Sequence, residues 1–381
     1  MKRKSISVFL AALTLFCSGC KSSGTNSSTE NTLNYVYDNL MSVTYMENGM
    51  LYFDEYLLKY FDVKSSLSTV VCSDPSCKHS YPANDKPTDC SAIMGVPSCL
   101  AYIDDKLYFA YEESDTAFTH KSFFTAEKDG SNRKRFAKIE AENIQQTLYT
   151  NDSIIVSYQN TIDWSDENAV ALDQLEEWTV GIYIIDLSDG KAEKICSHTG
   201  KTARIDSMSF DGANIYYLFT CFEDDVSNLI LYKYNIESGQ NEIIKSLKQI
   251  HLIVDSKCFN STSMLYVDSN STNKLHILSF DGTDTVVAEG KEIVNPFFLD
   301  DSKICYIDRE EGEDFHYFIY DMNSGETVKV ENDWHTTPVQ AVFEDIIYVL
   351  YPDANSSFLS KGCMSKEDFI NGDYDKIVPI E

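Results

Sequence analysis

The chain has 381 residues, 43% of them hydrophobic, with 60 acidic residues against 31 basic ones and a formal net charge of −29 at pH 7. This hydrophobic fraction argues against an intrinsically disordered chain, and the negative charge argues against binding to nucleic acid, whose backbone is itself anionic. Cationic ligands, divalent ions and basic peptides suit this charge better than anionic ligands do. The acids are scattered through turns rather than clustered, however, so the preferred explanation is that they keep the protein soluble.

The beginning of the chain predicts an export signal. A basic start, KRK, precedes an apolar run from Ile6 to Phe16, which is shorter than the roughly 20 residues that a membrane-spanning helix needs. The run leads to SGC ending at Cys20. This pattern resembles the signal of bacterial lipoproteins, in which the cysteine is diacylated and becomes the new N-terminus. Residues 1–20 are therefore predicted to be a signal peptide and Cys20 the lipidation site, an ordinary cleaved signal being the alternative.

The polar stretch over residues 21–32, KSSGTNSSTENT, predicts a flexible tether. An anchor that carries two or more acyl chains holds a protein stably at a membrane. The remainder, residues 33–381, is therefore expected to be one domain attached to a bacterial cell membrane and facing its extracytoplasmic side.

A repeat runs through this domain. Each unit has an Asx- or Gly-containing turn, a strand rich in β-branched and aromatic residues, a polar loop, a second apolar strand, and a further turn and strand. The units begin near Asn48, Asp104, Asn151, Gly212, Ser261, Asp301 and Phe343. A period of about forty residues with four strands per unit is typical of propeller blades.

We therefore predict an all-β fold, a β-propeller of seven four-stranded blades, with six or eight blades as the alternatives. The longer spacing of the early units indicates inserted loops at residues 73–98 and 161–179. A strand within TLNYVYD, which starts at Thr32, is expected to pair into the final blade and close the ring, because closure removes exposed sheet edges.

One polar stretch concentrates reactive side chains: CSDPSCKHSYPANDKPTDC, from Cys72 to Cys90. Cys72, Cys77, His79 and Cys90 together supply the three thiolates and one imidazole that suit tetrahedral zinc. Alternatively, Cys72 can pair with Cys77 and Cys90 with Cys99 in disulfides, which an extracytoplasmic location permits. The sequence favours disulfides over a structural zinc ion, with free thiols as the third alternative, and either of the first two would attach the inserted loop to the first blade. No other cofactor is expected.

The lipoprotein signal, the tether, the Tyr-rich blades, CSDPSCKHS and the ending SKEDFINGDYDKIVPI from Ser365 to Ile380 occur together. In these features the chain resembles a family of uncharacterised propeller lipoproteins from Clostridia and related Firmicutes. The resemblance implies a fold and a location, and no established activity.

No catalytic residue is predicted. The sequence contains no G-x-S-x-G elbow, no H-E-x-x-H and no phosphate-binding Gly loop, and Cys77 with His79 lacks an orienting third group. The function expected is a binding or scaffolding module for a peptide, protein or glycan. The alternative is an extracytoplasmic hydrolase or lyase that uses carboxylates on glycans at the propeller mouth. Trp164 and Trp334 are candidates for stacking on a ligand, with partial burial between blades as the other interpretation.

Overall fold

The structure is a computed structural model. Residues Thr32–Glu381 form one compact unit, and Met1–Asn31 form a second unit that has no described residues. The predicted signal peptide and Cys20 therefore lie outside the described residues. No helix within the described ranges is long and apolar enough to cross a membrane. The structure describes residues 35–38, 43–46, 48–54, 56–79, 90–94, 97–115, 118–160, 177–223, 226–248, 258–268, 273–309, 315–330, 339–343, 345–352 and 359–380.

The described residues of the first half of the domain form sixteen strands. A short strand, β1, spans Tyr35–Asp38. Blade 1 consists of β2 Val43–Met46, β3 Gly49–Asp54, β4 Leu57–Asp62 and β5 Leu67–Val70. Blade 2 consists of β6 Cys99–Ile103, β7 Lys106–Asp115, β8 Phe118–Glu127 and β9 Lys134–Glu140. Blades 3 and 4 consist of β10 Asn143–Tyr149, β11 Ser153–Asn160, β12 Glu177–Asp186, β13 Ala192–Phe210, β14 Asn214–Glu223, β15 Val226–Asn235 and β16 Asn241–Lys248.

The second half contains three further blades. Blade 5 has three described strands, β17 Ser263–Asp268, β18 Asn273–Ser279 and β19 Asp284–Gly290, and an isolated bridge from Phe259 to Met264. Blade 6 consists of β20 Val294–Asp300, β21 Lys303–Arg309, β22 Phe315–Asp321 and β23 Thr327–Lys329. Blade 7 consists of β24 Val339–Val342, β25 Ile346–Pro352, β26 Leu359–Ser365 and β27 Val378–Pro379.

These antiparallel sheets confirm the predicted all-β propeller, and each of the seven predicted repeats falls in its own blade. Blades 3 and 4 are connected differently from the other described blades. A single long strand, β13, is the outer strand of blade 3 and continues as the inner strand of blade 4, so the two blades share one hydrogen-bonded sheet. The insertion predicted at 161–179 lies outside the described residues up to 176. Residues 177–179 already belong to β12.

Position within a blade explains the composition of each strand. The inner part of the blade is covered on both faces by neighbouring sheets, so β3 is buried over its first four residues and β25 likewise. The outer β19, in contrast, is exposed or half-buried throughout. Strands covered on both faces read as continuous apolar runs, which is why the second strand of each blade gave the clearest repeat.

The hydrophobic core consists of layers between neighbouring blades. Separate clusters of buried side chains join blades 1 and 2, 2 and 3, 3 and 4, 4 to 6, 6 and 7, and 7 and 1. In the last of these, which we call the closing seam, Met50 and Phe61 of blade 1 pack with Tyr348 and Cys363 of blade 7. The ring is thus closed by side-chain packing.

The predicted closure by a strand exchanged between the chain ends is wrong. Blade 7 consists of β24–β27, all from the C-terminal part of the chain. β1 pairs instead with β10, the first strand of blade 3. The physical reason is that β27 already covers the outer edge of β26, through the pairs Gly362 with Pro379 and Cys363 with Val378, so that edge is not available to another strand.

The C-terminal segment after β26 forms a helix that the repeat did not reveal. This helix, α1, spans Lys366–Asn371. The Ser365 hydroxyl accepts a hydrogen bond from the Asp368 backbone N–H at 3.0 Å, and Gly372 ends the helix in the left-handed conformation. A serine cap followed by a terminating glycine is a recognisable helix signal, but it lies outside the strand pattern that defines the repeat.

Strand β13 contains a strained residue where it passes from blade 3 to blade 4. Thr202 has φ +48°, and its buried hydroxyl has no hydrogen-bond partner. A β-branched residue in this conformation costs about 1–2 kcal/mol, whereas glycine in a strand costs about 0.5–1 kcal/mol. We expect Thr202→Gly to raise the free energy of unfolding by about 0.5–1 kcal/mol in urea titrations. The control, Thr199→Gly at an exposed position of the same strand, should lower it. Equal losses in both variants would contradict the assignment of strain.

Candidate functional site

The reactive stretch begins at the outer edge of blade 1. Cys72 lies two residues after the end of β5, and its backbone N–H donates to the Val70 carbonyl at 3.1 Å. The chain then folds into a tight turn, since the Cys77 N–H donates to the Asp74 carbonyl at 3.1 Å. The Asp74 carboxylate accepts hydrogen bonds from the Ser76 N–H at 2.8 Å and hydroxyl at 2.7 Å. This turn brings Cys77 back toward Cys72.

The four residues of the predicted metal set come together. The sulfurs of Cys72, Cys77 and Cys90 and a ring nitrogen of His79 all lie within 4.8 Å of one another. The Cys90 thiol donates to the Cys72 sulfur at 3.8 Å, and His79 Nδ1 lies 3.4 Å from the Cys90 sulfur. We call these four residues the Cys–His cluster. His79 has φ +51°, and its backbone N–H donates to the Cys77 sulfur at 3.4 Å.

The sulfurs of the cluster differ in acidity. Burial raises the pKa of Cys72, but hydrogen bonds from the backbone and from the Cys90 thiol outweigh it, so that the net pKa is lowered. Burial raises the pKa of Cys90 to about 11, and hydrogen bonds with Cys77 and Cys72 act in the same direction. The Cys72 thiol is therefore more acidic than the Cys90 thiol.

The segment that carries Cys90 is attached to blade 1 by backbone hydrogen bonds. The Leu58 N–H donates to the Ala92 carbonyl at 2.8 Å, and the Met94 N–H donates to the Tyr56 carbonyl at 3.1 Å. Ala92 is fully buried and Ile93 nearly so, in a small apolar cluster that includes Cys90 itself. Residues 90–94 thus extend the sheet beside β4, on the same edge as the end of β5.

The hairpin between β8 and β9 of blade 2 forms hydrogen bonds with the same segment. Arg133 donates from Nη2 to the carbonyls of Ser91 at 2.6 Å and Ile93 at 2.9 Å, and from Nε to the carbonyl of Gly130 at 2.9 Å. In the same hairpin, Asp129 accepts a hydrogen bond from the Ser73 side chain. Both halves of the Cys–His cluster are therefore in contact, through their neighbours, with blade 2. Arg133 could not be recognised from the sequence, because its partners are backbone carbonyls about forty residues away.

The structure places the other predicted residues elsewhere. Cys99 lies on β6, fully buried in the layer between blades 2 and 3, and burial raises its pKa to about 12. It is not part of the Cys–His cluster, so a Cys90–Cys99 disulfide has no geometric support. No disulfide joins any two of the described cysteines. Trp164 and Trp334 lie outside the described residues.

A second candidate site is the edge of β10. In a propeller the first strand of each blade lies nearest the central axis, and β11 pairs with one edge of β10 while β1 pairs with the other. The register places Tyr37 opposite Thr147 and Asp38 opposite Gln146. Gln146 is 1% exposed, yet among the described residues neither its amide nitrogen nor its amide oxygen has a hydrogen-bond partner, and the Thr147 hydroxyl also has none. Buried polar groups without partners are rare in native proteins, which marks this edge as unusual.

Comparison with known proteins gives the fold. No family model and no curated protein matches the chain. Similar solved structures include dipeptidyl peptidase 4 of Porphyromonas gingivalis, with TM-score 0.53, 10% identity, and coverage of 91% of this chain and 60% of that one. An acylaminoacyl peptidase of Pyrococcus horikoshii has TM-score 0.51 and 14% identity, over 88% of this chain and 52% of that one.

The β-propeller domain of the Trilobed protease from Pyrococcus furiosus, described as having an open velcro topology, matches over 86% of this chain and 94% of its own, with TM-score 0.50 and 12% identity. This chain spans only 60% and 52% of the two whole peptidases. At these identities the likeness extends to the fold alone. The chain is a β-propeller.

Proposed function

We propose that this protein is a lipid-anchored, extracytoplasmic β-propeller that binds extended peptides along the inner edge of β10. The observation that carries the proposal is the pairing of β1 with that edge, over Tyr35 to Asp38. An edge that accepts one extended segment through backbone hydrogen bonds can accept another, because strand addition relies on main-chain groups that every peptide has.

In this proposal β1 acts as an intramolecular ligand. Four residue pairs form a short contact, but a tethered segment is present at an effective concentration of the order of millimolar. A peptide that displaces β1 then places its own side chains beside Thr147 and Gln146, whose hydrogen-bonding groups have no partners. Directly opposed residues of antiparallel strands have neighbouring side chains, so these two groups favour a peptide with polar side chains at those positions.

The charge of the protein favours a basic peptide. The net charge of −29 raises the local concentration of cationic ligands and repels acidic ones. The lipid anchor at Cys20, the tether over residues 21–32 and membership of the clostridial propeller lipoproteins belong to the proposal on the strength of the sequence pattern described above.

The test compares peptide binding with and without β1. Fluorescently labelled ten-residue peptides, rich in Lys or in Glu, are titrated with the full chain and with a Val36→Pro, Tyr37→Pro double variant, in which proline removes backbone donors. If β1 leaves the edge free about a tenth of the time, the Kd for Lys-rich peptides should fall roughly tenfold in the variant.

The control is a double variant within the tether, Ser27→Pro and Ser28→Pro, which should bind as the unmodified chain does. Equal affinity in the β1 variant and the tether variant would contradict binding at the edge of β10. Cleavage of the peptides, or turnover of a glycan panel by the same preparations, would instead favour the carboxylate-dependent enzyme.

A further inference from the structure

We propose that Cys72, Cys77, His79 and Cys90 bind one zinc ion, and that this ion fixes the joint between blades 1 and 2. The inference is independent of peptide binding, because the cluster lies at the outer edge of blade 1 and the proposed peptide site at the inner strand of blade 3.

The distances within the cluster match a tetrahedral metal site. Two sulfurs bound to zinc at about 2.3 Å lie about 3.8 Å apart, and a sulfur and a nitrogen bound to it lie about 3.5 Å apart. The Cys90 and Cys72 sulfurs are 3.8 Å apart, and His79 Nδ1 is 3.4 Å from the Cys90 sulfur. No two of the four donor atoms lie more than 4.8 Å apart, so small rotations of the side chains suffice to bring all four to one zinc ion.

The same distances do not suit a disulfide. A disulfide needs two sulfurs about 2.05 Å apart, and a pair formed among Cys72, Cys77 and Cys90 leaves the third thiol unpaired and gives His79 no role. A zinc ion uses all four side chains. His79 has a positive φ, and its backbone N–H donates to the Cys77 sulfur. Both features hold the imidazole on the side of the sulfurs, and hydrogen bonds around metal sites commonly orient the ligands in this way.

The donor set selects zinc and a structural role. Three thiolates and one imidazole are soft and borderline ligands, which calcium and magnesium avoid and zinc prefers. Four protein donors fill a tetrahedral ion, which leaves no position for water or substrate. Cys90 is only 5% exposed, so the ion lies against the protein rather than in an open cleft.

The position of the cluster explains what the ion holds together. Cys72, Cys77 and His79 belong to the chain that leaves β5, whereas Cys90 belongs to the segment beside β4. Asp129 and Arg133 of blade 2 contact the neighbours of both parts. With the ion bound, the two parts form one surface for the blade 2 hairpin.

The test is the zinc content of the full chain, purified without chelator and measured by atomic emission. We expect about one zinc per chain in the unmodified protein and in the control Cys196→Ser, whose cysteine lies on β13 outside the cluster. We expect less than about 0.1 zinc per chain in Cys77→Ser. The proposal would be overturned if the protein, as purified without chelator, contained no zinc and mass spectrometry found a disulfide-linked peptide that joins Cys72 with Cys77, Cys72 with Cys90 or Cys77 with Cys90.

A second measurement covers the case in which Cys77→Ser does not fold. The unmodified chain is treated with a strong chelator and then with cobalt, whose tetrahedral thiolate complexes absorb visible light. Appearance of that spectrum with one equivalent of cobalt, and its loss when one equivalent of zinc is added, is the expected result. Absence of the spectrum in folded protein would show that the four side chains do not bind a metal.

Discussion

Replacement of Phe369 by alanine should lower the free energy of unfolding by about 3–5 kcal/mol. Phe369 is the one buried side chain of α1, and it is fully buried. Its ring lies 5.2 Å from that of Tyr317 in blade 6, 6.0 Å from Tyr374 and 6.4 Å from Phe297. The truncation removes a large apolar surface from contact and leaves a cavity between blades 6 and 7. Urea unfolding followed by tryptophan fluorescence measures the loss.

The matched control is Glu367→Ala, an exposed position of the same helix, which should change stability by less than about 0.5 kcal/mol. If both variants lose the same small amount, α1 rests on the surface of the propeller and contributes little to the packing of blades 6 and 7.

Replacement of Gly190 by alanine should cost about 2–4 kcal/mol, from backbone strain and from a steric clash. Gly190 ends the turn between β12 and β13 with φ +74°, and a Cβ there would lie 1.9 Å from the Phe136 carbonyl oxygen of blade 2. The Phe136 carbonyl is part of the backbone of β9, so its oxygen cannot rotate away as a side-chain atom could. The turn must therefore move off blade 2.

Gly325 separates the two causes. It occupies the same place in the turn after β22 with φ +73°, but a Cβ there would meet nothing within 4 Å. Gly325→Ala should therefore cost only the strain, about 1 kcal/mol. If urea unfolding shows that the two variants lose similar amounts of stability, the Gly190 turn moves away from blade 2 at no measurable cost in free energy.

Much of the fold could be predicted because each blade repeats the same local pattern. The Asp186 turn shows why the hairpins were recognisable. Its carboxylate accepts hydrogen bonds from the Ser188 N–H and hydroxyl, and Gly190 supplies the left-handed residue. These requirements lie within five consecutive residues, so the sequence expresses them directly.

The features that escaped prediction depend on residues far apart in the chain. The partner of β1 is an edge more than one hundred residues away, and a four-residue strand carries too few side chains to specify one edge among seven blades. The continuation of β13 through two blades depends on how blades 3 and 4 meet, which a pattern of strand lengths does not encode.

The residue types of the Cys–His cluster could be predicted from the sequence, but which cysteines come together in space could not. Cys72, Cys77 and His79 are close in sequence, and their residue types suggested a common site. Whether Cys90 joined them or paired with Cys99 depended on the path of the loop, and the backbone pairing of residues 90–94 with Tyr56 and Leu58 decided it.

The closing seam gives the ring a preferred place to open. Blades 3 and 4 share a continuous strand, whereas blades 7 and 1 belong to separate sheets and are not consecutive in the chain. In the described residues these two blades pack through side chains such as Tyr45 and Phe343, whose rings stack at 5.6 Å. Apolar contacts separate under smaller mechanical loads than backbone hydrogen bonds sheared along a strand, because they yield one after another. Once β1 has separated from β10, tension applied through the N-terminal end of blade 1 would therefore load this junction, and its separation would turn the ring into an open arc.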